Sequence, residues 1–497
     1  MKKIIVLFVF ISNIVLAQTP HWRPTIHFSP QKNWTNDPNG LVFHEGEWHL
    51  FFQHNPEGDR WGNMSWGHAV STDLVNWQEL PVAIPQDSVW IFSGCVVVDK
   101  NNTAGFGANA MVAIYTADYH GKKENQHLAY STDKGRTWTK YAKNPIIAIP
   151  YGSKVPEKDF RDPNIIWHEP TKNWIMSVVL PKQFKTQFYA SKDLKNWTFL
   201  SDFAKQGDLQ KMWECPALIE VPIENSNATA WVLLISSNGP YQDYVGMQYF
   251  VGEFDGKNFK NSNSADTKLY VDFGRDYYAA VPFYDAPDKR KITLGWMSSW
   301  QYAEKLPSNP WRGQMTLPRE IVLRRTQDGL RLAQKPTKEV LESKTWKNVM
   351  FLENLNVEGE DGMGITMRSH SDTYKIEIEF EPLDSKEFGL KLLKKTTNNN
   401  ETIIGYSVSN EQLYFNRMNS GDRVADEFPA FYGGYLKMNK GRLKMLILVD
   451  KSSIETFVND GEFTMTNLVF PEEGSRDWQI FSRGGKVKVV SVNISEW

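Results

Sequence analysis

Three short segments of the sequence each place a carboxylate beside turn-forming and aromatic residues. They read WTNDPNG at positions 34–40, FRDPN at positions 160–164 and WECP at positions 213–216. A proline follows Asp37 and another follows Asp162, so both carboxylates are expected on stiff corners of the chain. Taken singly, the segments also fit a plain turn, a surface ion pair between Arg161 and Asp162, and a water-exposed Glu214 at a strand edge.

Together the three carboxylates fit acid–base chemistry at a glycosidic bond. Glycoside hydrolysis needs two carboxyl groups in different protonation states, one anionic and one that carries a proton. Asp37 on its rigid corner and Glu214 between Trp213 and Cys215 are the pair that could supply this asymmetry. The sequence therefore predicts a fold that brings these distant segments together.

A repeat indicates which elements position these residues. The pattern Ser-x-Asp followed by Trp starts at positions 71, 131 and 191, an equal spacing of 60 residues, and a degenerate copy follows at 254–259. Each copy fits a β-hairpin in which the Asp serves the turn and the Trp anchors the next strand. Such a period is typical of a β-propeller, in which each blade is one small sheet, and residues 20–334 have room for five blades.

The pattern changes after about residue 335. Apolar residues alternate with charged residues over 374–380, and an Asn-Asp-Gly turn at 459–461 separates two apolar runs, as in a hairpin. Several strands without intervening helices favour a β-sandwich. We therefore predict an all-β chain, with a five-bladed β-propeller over 20–334, a linker over 335–350 and a C-terminal β-sandwich over 351–497.

The first 17 residues have the pattern of a signal peptide. Lys2 and Lys3 precede a mostly apolar run, and VLA at 15–17 fits a signal-peptidase site, which predicts cleavage before Gln18. A membrane anchor is the alternative, but the run is shorter than the about 20 apolar residues of a comfortable span. The mature protein is thus expected to be exported, periplasmic or secreted, with no membrane span.

Composition excludes several other classes of protein. The 497 residues include 56 Lys and Arg and 58 Asp and Glu, and a net charge of −2 does not favour nucleic-acid binding. Cys95 and Cys215 are the only cysteines, which excludes a disulfide scaffold and leaves open whether they pair or are two buried thiols. Neither cysteine belongs to a Cys/His cluster, so no zinc site is expected.

The motifs resemble those of glycoside hydrolase family 32, which contains invertases, levanases and inulinases. Segment 34–40 is similar to the family's WxNDPNG signature, RDP at 161–163 to its RDP motif and EC at 214–215 to its EC motif. Further similar segments are FQHNP at 52–56, WGNM at 61–64, FSG at 92–94, GWM at 295–297 and VDKSSIE at 449–455. The resemblance covers nearly the whole mature chain.

Two positions depart from the family pattern. Thr35 stands where the family usually has Met, and this change is expected to affect packing only. Cys95 follows the FSG segment where Ser is common, which removes a hydroxyl near the expected sugar subsite. The sugar contacts at that position are therefore in doubt.

The resemblance implies the same propeller and sandwich, and retaining hydrolysis of fructosyl bonds that requires no metal and no organic cofactor. Asp37 would be the nucleophile and Glu214 the general acid and then the base. Asp162 would stabilise the transition state, positioned with Arg161. The substrate-binding positions that the resemblance implies are Asn36, Gln53, Trp61, Phe92, Ser93, Arg161 and Trp300.

The implied substrates are fructans, levan or inulin, and sucrose, with fructose released from non-reducing ends. A fructosyltransferase that uses the same residues, an arabinan- or xylan-type glycosidase and a non-catalytic glycan-binding protein are the alternatives. The sequence does not choose between inulin, levan and sucrose, or between exo and endo attack. The oligomeric state is also left open.

Overall fold

The computed structural model describes residues 21–242, 244–359, 366–395, 397 and 399–497. The predicted signal peptide, 1–17, and its cleavage site lie outside these residues. Within them, no helix is long and apolar enough to cross a membrane. The described chain consists almost entirely of strands, and the predicted five-bladed propeller followed by a β-sandwich is confirmed.

Five antiparallel sheets form the blades of the propeller. The first three blades contain β1 (Asn33–His44), β2 (Glu47–Asn55), β3 (Ser65–Ser71) and β4 (Gln78–Ile84); β5 (Trp90–Asp99), β6 (Ala110–Asp118), β7 (Glu124–Ser131) and β8 (Thr139–Lys140); and β9 (Arg161–His168), β10 (Asn173–Leu180), β11 (Lys185–Ser191) and β12 (Thr198–Ala204). The fourth blade contains β13 (Glu214–Pro222), β14 (Thr229–Asn238), β15 (Val245–Phe254) and β16 (Phe259–Asn261). The fifth begins with β17 (Tyr278–Pro282) and β18 (Ile292–Trp296); after β19 (Trp311–Arg312), it ends with β20 (Arg319–Thr326) and β21 (Gly329–Pro336). Strand β19 pairs in parallel with β1 and thereby joins the end of the propeller to its first blade.

The helices that the structure describes are single turns between strands. They are the 3-10 helices Glu169–Thr171, Pro181–Gln183, Pro287–Lys289 and Ala303–Lys305, and the α-helix α1 (Lys338–Leu341). Helix α1 lies in the segment predicted as a linker, after the last propeller strand.

The repeated Ser-x-Asp motif forms the turn between the third and fourth strands of the first three blades. In the first blade, Asp73 accepts hydrogen bonds from the amides of Val75 and Asn76, at 3.0 and 2.7 Å. The Nε1 atom of Trp77 then donates to the Leu74 carbonyl at 3.2 Å, which fixes the start of the outer strand. Equivalent bonds recur in the next two blades, so the 60-residue repeat is the blade repeat.

The innermost strands β1, β5, β9, β13 and β17 surround the propeller axis, and each carries a β-bulge near its first residues. At three of these bulges a residue other than glycine has a left-handed backbone: Asp162 with φ 62°, Cys215 with φ 47° and Ala279 with φ 52°. A bulge re-aims the side chains of its strand, and such strained positions are common at functional sites. The same end of all five strands is therefore distorted.

The C-terminal region is a sandwich built from one continuous sheet. Among the described residues this sheet has eleven strands: β22 (Lys347–Gly359), β23 (Thr366–Arg368), β24 (Tyr374–Pro382), β25 (Glu387–Lys394), β26 (Glu401–Ser407), β27 (Gln412–Asn419), β28 (Phe431–Tyr435), β29 (Leu443–Asp450), β30 (Ser453–Val458), β31 (Phe463–Leu468) and β32 (Asp477–Glu496). The first part of β32 pairs with β23 and β25, and its second part pairs with β22 and β24. One long strand thus belongs to both layers, with a shared apolar core between them.

Buried charged side chains join the propeller to the sandwich. Glu455 on β30 accepts a hydrogen bond from Nη2 of Arg319 on β20, at 2.6 Å, and one from the Leu317 amide at 2.7 Å. The ring of His27 lies between Glu455 and Asp450, at 3.0 and 2.8 Å. These four charged side chains have no exposed surface, so Glu455 is a structural residue of the domain junction.

Candidate active site

A cavity of about 480 Å³ opens where the innermost strands begin. The three predicted catalytic residues and all the predicted substrate-binding residues lie in its wall. They are Asn36, Asp37, Gln53, Trp61, Phe92, Ser93, Arg161, Asp162, Glu214 and Trp300. Seven of them lie at the bulged starts of innermost strands, where the bulges turn side chains toward the axis. Gln53 lies on β2, and Trp61 and Trp300 lie between strands.

Asp37 lies on the bulged part of β1 and is buried. Its Oδ1 atom accepts a hydrogen bond from Nδ2 of Asn36 at 3.0 Å, and its Oδ2 atom accepts one from Oγ of Ser93 at 2.7 Å. The Nε1 atom of Trp34 donates to Oδ1 of Asn36 at 2.7 Å and orients that amide. The carboxylate is therefore held by donors on two blades.

Asp162 lies at the bulge of β9 and is also buried. Its Oδ2 atom accepts a hydrogen bond from the Cys215 amide at 2.9 Å, and its own amide donates to Oγ1 of Thr116 at 3.0 Å. The Cys215 Sγ atom lies 3.6 Å from Oδ2 of Asp37 and 3.8 Å from Oδ2 of Asp162. The thiol thus fills the space between the two aspartates.

Glu214 begins β13 and is held at both of its carboxyl oxygens. Oε1 accepts hydrogen bonds from Nε and Nη2 of Arg161, at 3.1 and 3.0 Å. Oε2 accepts a hydrogen bond from the Tyr278 hydroxyl at 2.6 Å. The other side of the Arg161 guanidinium is shared with Glu124 and Asp159, with Nη1 at 3.1 Å from each.

The surroundings of the two aspartates raise the pKa of both side chains. Burial raises the pKa of Asp37, and the nearby charge of Glu214 adds to that effect. Burial also raises the pKa of Asp162 to about 8, although the charge of Arg161 opposes it. The charge of Arg161 therefore does not offset the effect of burial at Asp162, and the carboxylates around the cavity favour a positive charge that develops inside it.

Aromatic rings form the outer wall of the cavity. Trp61 and Trp300 are 39% and 38% exposed, which leaves part of each indole free to contact a ligand. Trp61 packs against Trp90 and Phe92, with ring centroids 5.2 and 6.0 Å apart. Rings of this kind provide flat apolar surface next to polar donors, as in carbohydrate sites.

Comparison with known proteins agrees with this geometry. The sequence matches the glycosyl hydrolases family 32 N-terminal domain over residues 27–336 and the family 32 C-terminal domain over residues 336–496. The chain belongs to glycosyl hydrolase family 32. The predicted resemblance is therefore confirmed, and the chain is a glycosidase.

Individual relatives of this family 32 enzyme match along nearly its whole length. A levanase of Bacillus subtilis (strain 168) is 45% identical over 95% of this chain and 70% of the relative. An extracellular exo-inulinase of Aspergillus awamori is 36% identical over 95% of this chain and 94% of the relative. The crystal structure of the exo-inulinase from Aspergillus awamori superposes with a TM-score of 0.91 at 34% identity, over 96% of this chain and 98% of that one.

Several residues of the family 32 enzyme's cavity were not found from the sequence. Trp90, Asp118, His120, Glu124 and Lys158 line the cavity as well. Trp90 stands two residues before Phe92, and this strand alternation was the one signal that could have identified it. Tyr278, which binds Glu214, carries no motif, and its position depends on the bulge of β17.

The two cysteines are free thiols, and both are buried. Cys95 packs in the core between the second and third blades and does not line the catalytic cavity. The missing hydroxyl therefore does not affect sugar contacts in the catalytic cavity, because β5 directs Ser93 and Cys95 to different surroundings. Among the described residues, no group of three or more His, Cys, Asp or Glu side chains could hold a metal ion.

Proposed function

We propose that this enzyme releases fructose from the non-reducing ends of fructans, and from sucrose, with retention of configuration. The observation that carries the proposal is a pair of carboxyl groups that are held by different kinds of hydrogen-bond donor. Asp37 is held by the hydroxyl and amide donors of Ser93 and Asn36, whereas Glu214 is held by Arg161 and the Tyr278 phenol. This arrangement supplies the nucleophile and the acid that retaining hydrolysis needs.

The first step forms a fructosyl–enzyme ester. A carboxylate oxygen of Asp37 attacks the anomeric carbon, while Glu214 gives its proton to the glycosidic oxygen as the bond to the leaving sugar breaks. Burial keeps the pKa of Tyr278 well above its usual range, so the phenol keeps its proton and fixes the orientation of Glu214. Asp162 accepts hydrogen bonds from the fructosyl hydroxyls as positive charge develops on the ring.

The second step returns the enzyme to its starting state. Glu214, now a carboxylate, removes a proton from water, and the hydroxide oxygen attacks the anomeric carbon and displaces Asp37. Arg161 stabilises the anionic form of Glu214 between the two steps. Fructose leaves with the configuration of the substrate.

The inner end of the cavity supports attack at chain ends. Pro38, Pro163 and Pro216 narrow the propeller axis behind the three carboxylates, where the remaining space is about 10 Å³. A fructan chain cannot continue past this point, which favours entry of a chain end. The relatives named exo-inulinase agree with exo attack.

Export is part of the same proposal. We infer that residues 1–17 are removed before Gln18 and that the enzyme acts outside the cytoplasm. Relatives named extracellular exo-inulinase support export. Fructosyl transfer would use the same carboxylates, and product analysis separates it from hydrolysis.

The test is a time course of purified enzyme with sucrose, inulin and levan, with the variant Asp37→Asn alongside. We expect fructose from the first time points, no longer products early in the reaction, and loss of at least about 10³-fold in the variant. Sugars longer than the substrate in concentrated sucrose would instead indicate transfer. No product from any of the three substrates would contradict the proposal.

A further inference from the structure

A second cavity lies at the other end of the propeller axis. Its volume is about 510 Å³, slightly more than the 480 Å³ of the catalytic cavity. Its inner wall is formed by later residues of all five innermost strands, beyond the bulges: Leu41, Val96, Ile165, Ile219 and Val281. We call it the distal cavity.

The distal cavity is closed off from the catalytic cavity. Between them lie Pro38, Pro163 and Pro216, around a space of about 10 Å³. A space of that size holds about one water molecule at most. A sugar cannot pass through it, so whatever enters the distal cavity comes from the opposite face of the propeller.

Two half-buried indole rings line the distal cavity, and other aromatic rings hold them in place. Trp167 packs edge-on against buried Trp174, with ring centroids 5.1 Å apart. Trp231 packs against Phe254, with centroids 5.4 Å apart. Fixed indoles beside open space suit a ligand with flat, partly apolar faces, which is a property of sugar rings.

The rim of the distal cavity carries donors and acceptors of both signs. Lys100 pairs with Asp285 at 2.6 Å, and Glu169 accepts a hydrogen bond from Nε1 of Trp167 at 2.6 Å. Glu220 accepts one from Thr229 at 2.6 Å. The charged rim residues are the acids Glu169, Glu220 and Asp285 and the bases Lys100, Lys289, Arg290 and Lys291.

The mixed charges select against a strongly charged ligand. Arg290 is already paired with Glu339 at 2.6 Å and Glu320 at 2.9 Å, and Glu169 is paired with Lys172. The remaining charges are three lysines against Glu220 and Asp285, which leaves the rim close to neutral. A neutral ligand whose hydroxyls both donate and accept matches such a rim, and the indoles match its ring faces. An oligosaccharide has both properties.

We propose that the distal cavity is a second, non-catalytic binding site for a neutral oligosaccharide. A chain bound there stays attached to the enzyme while another end enters the catalytic cavity. The choice of a fructan segment as this ligand rests on the proposed function, whereas the existence of a sugar site rests on the distal cavity alone. Sucrose hydrolysis does not depend on this site.

Binding of 1-kestose to the Asp37→Asn enzyme tests the proposal without turnover. We expect two equivalents by titration calorimetry. Adding Trp61→Ala removes the equivalent in the catalytic cavity, and adding Trp167→Ala with Trp231→Ala instead removes the other. Glu220→Ala alone, a milder change at the rim, weakens the second equivalent about tenfold and guards against a folding defect in the tryptophan variant.

Kinetics of the otherwise wild-type enzyme give a second readout. Trp167→Ala with Trp231→Ala leaves kcat and KM for sucrose unchanged and raises KM for levan or inulin several-fold. Unchanged sucrose hydrolysis also shows that the variant is folded. A single equivalent of 1-kestose that disappears with Trp61→Ala, or an unchanged KM for both polymers, overturns the distal site.

The failure of the proposed function would look different. In that case the wild-type enzyme releases no fructose from any substrate, whatever the state of the distal cavity. Failure of the distal site leaves fructose release intact and removes only the second equivalent. The two results are therefore separable.

Discussion

The catalytic cavity and the junction between propeller and sandwich each contain a cluster of buried carboxylates. In the cavity, burial raises the pKa of Asp37, and it raises the pKa of Asp162 to about 8. At the junction, burial would also raise the pKa of Asp450, but hydrogen bonding and charge from His27 lower it to about 2. The same residue types therefore have opposite proton affinities in the two regions.

The difference lies in whether each buried carboxylate has a cation as its partner. At the junction, Arg319 and His27 together pair with the three carboxylates Glu455, Asp450 and Asp272, each at 3.0 Å or less. In the cavity, Arg161 pairs with Glu214, Glu124 and Asp159, whereas Asp37 and Asp162 accept hydrogen bonds from the neutral donors Asn36, Ser93 and the Cys215 amide. We call the junction the matched cluster, because its carboxylates have cationic partners, and these ion pairs stabilise the fold. We call the cavity the unmatched cluster, because its two aspartates lack such partners and retain a raised pKa and a negative potential that a reaction can use.

The largest expected effect comes from Glu214→Gln in the unmatched cluster. We expect turnover of sucrose to fall on the order of 10³-fold or more, because the leaving oxygen is no longer protonated. Thermal stability should stay unchanged or rise, since one of the crowded negative charges is removed. Steady-state kinetics and a melting curve on the same sample measure both.

An activated fructoside sharpens this test. Its leaving group needs no proton, so Glu214→Gln should recover formation of the fructosyl–enzyme ester, whereas Asp37→Asn should not. Equal recovery by both variants would contradict the separate roles of the two residues. Equal loss of stability in both would mean that the catalytic cluster is structural after all.

The matched cluster should respond in the opposite way to Glu455→Gln. The substitution leaves Arg319 paired only with Asp272 and His27 paired only with Asp450, and the lost charge-assisted hydrogen bonds cost about 1.5–3 kcal/mol of unfolding free energy. Activity per folded molecule should not change, because Glu455 lies outside the catalytic cavity. Urea unfolding and kinetics at low temperature check the two parts.

The matched control is Glu427→Gln. Glu427 pairs with Lys305 at 2.8 Å on the exposed surface, and surface pairs contribute little. We expect no measurable change in its unfolding curve. A loss of catalytic rate in folded Glu455→Gln would remove the distinction between the two regions.

The sequence was sufficient for the features that repeat or cluster locally. The Ser-x-Asp turns predict the blades because each turn is completed by bonds within seven residues of its serine. The three carboxylate motifs could be found because each contains its own turn-forming residues. Their meeting in one cavity follows from the propeller, which brings its inner strands to one axis.

The partners of these residues could not be predicted, because they come from distant parts of the chain. His27 binds Glu455 across 428 positions and Tyr278 binds Glu214 across 64. No local sequence pattern marks Tyr278 or His27 as the partner of a carboxylate. The side to which Cys95 points was also hidden, because the β5 bulge shifts the strand alternation before that residue.

The pH dependence of stability tests the matched cluster again. Burial alone would lower the pKa of His27, but Asp450 and Glu455 raise it from 6.5 to about 9. The stabilisation that protonated His27 gives to the folded state is therefore complete below pH 6.5. It is lost as the pH rises from 6.5 to about 9, so the free energy of unfolding falls by about 3 kcal/mol in total. Urea unfolding at several pH values measures the slope of the unfolding free energy against pH.

His27→Gln should remove most of that slope and leave a less stable protein at pH 6. His370→Gln, a change of an exposed histidine, should retain the slope of the wild-type enzyme. An equally steep loss of stability between pH 6.5 and 9 in His27→Gln would place the responsible group elsewhere.

The smallest expected effect is a shift in the acid limb of kcat/KM caused by Ser93→Ala. The Ser93 hydroxyl donates to Oδ2 of Asp37 at 2.7 Å and favours the anionic nucleophile. Its removal raises the pKa of Asp37 further, so the acid limb should move about one pH unit upward. Ser88→Ala, a change at an exposed serine near the start of the same blade, should leave the limb in place. Because Asp37 is buried with few donors and without a cationic partner, loss of one more donor must raise its proton affinity again. An acid limb that stays in place, or moves downward, would assign that limb to a group other than Asp37.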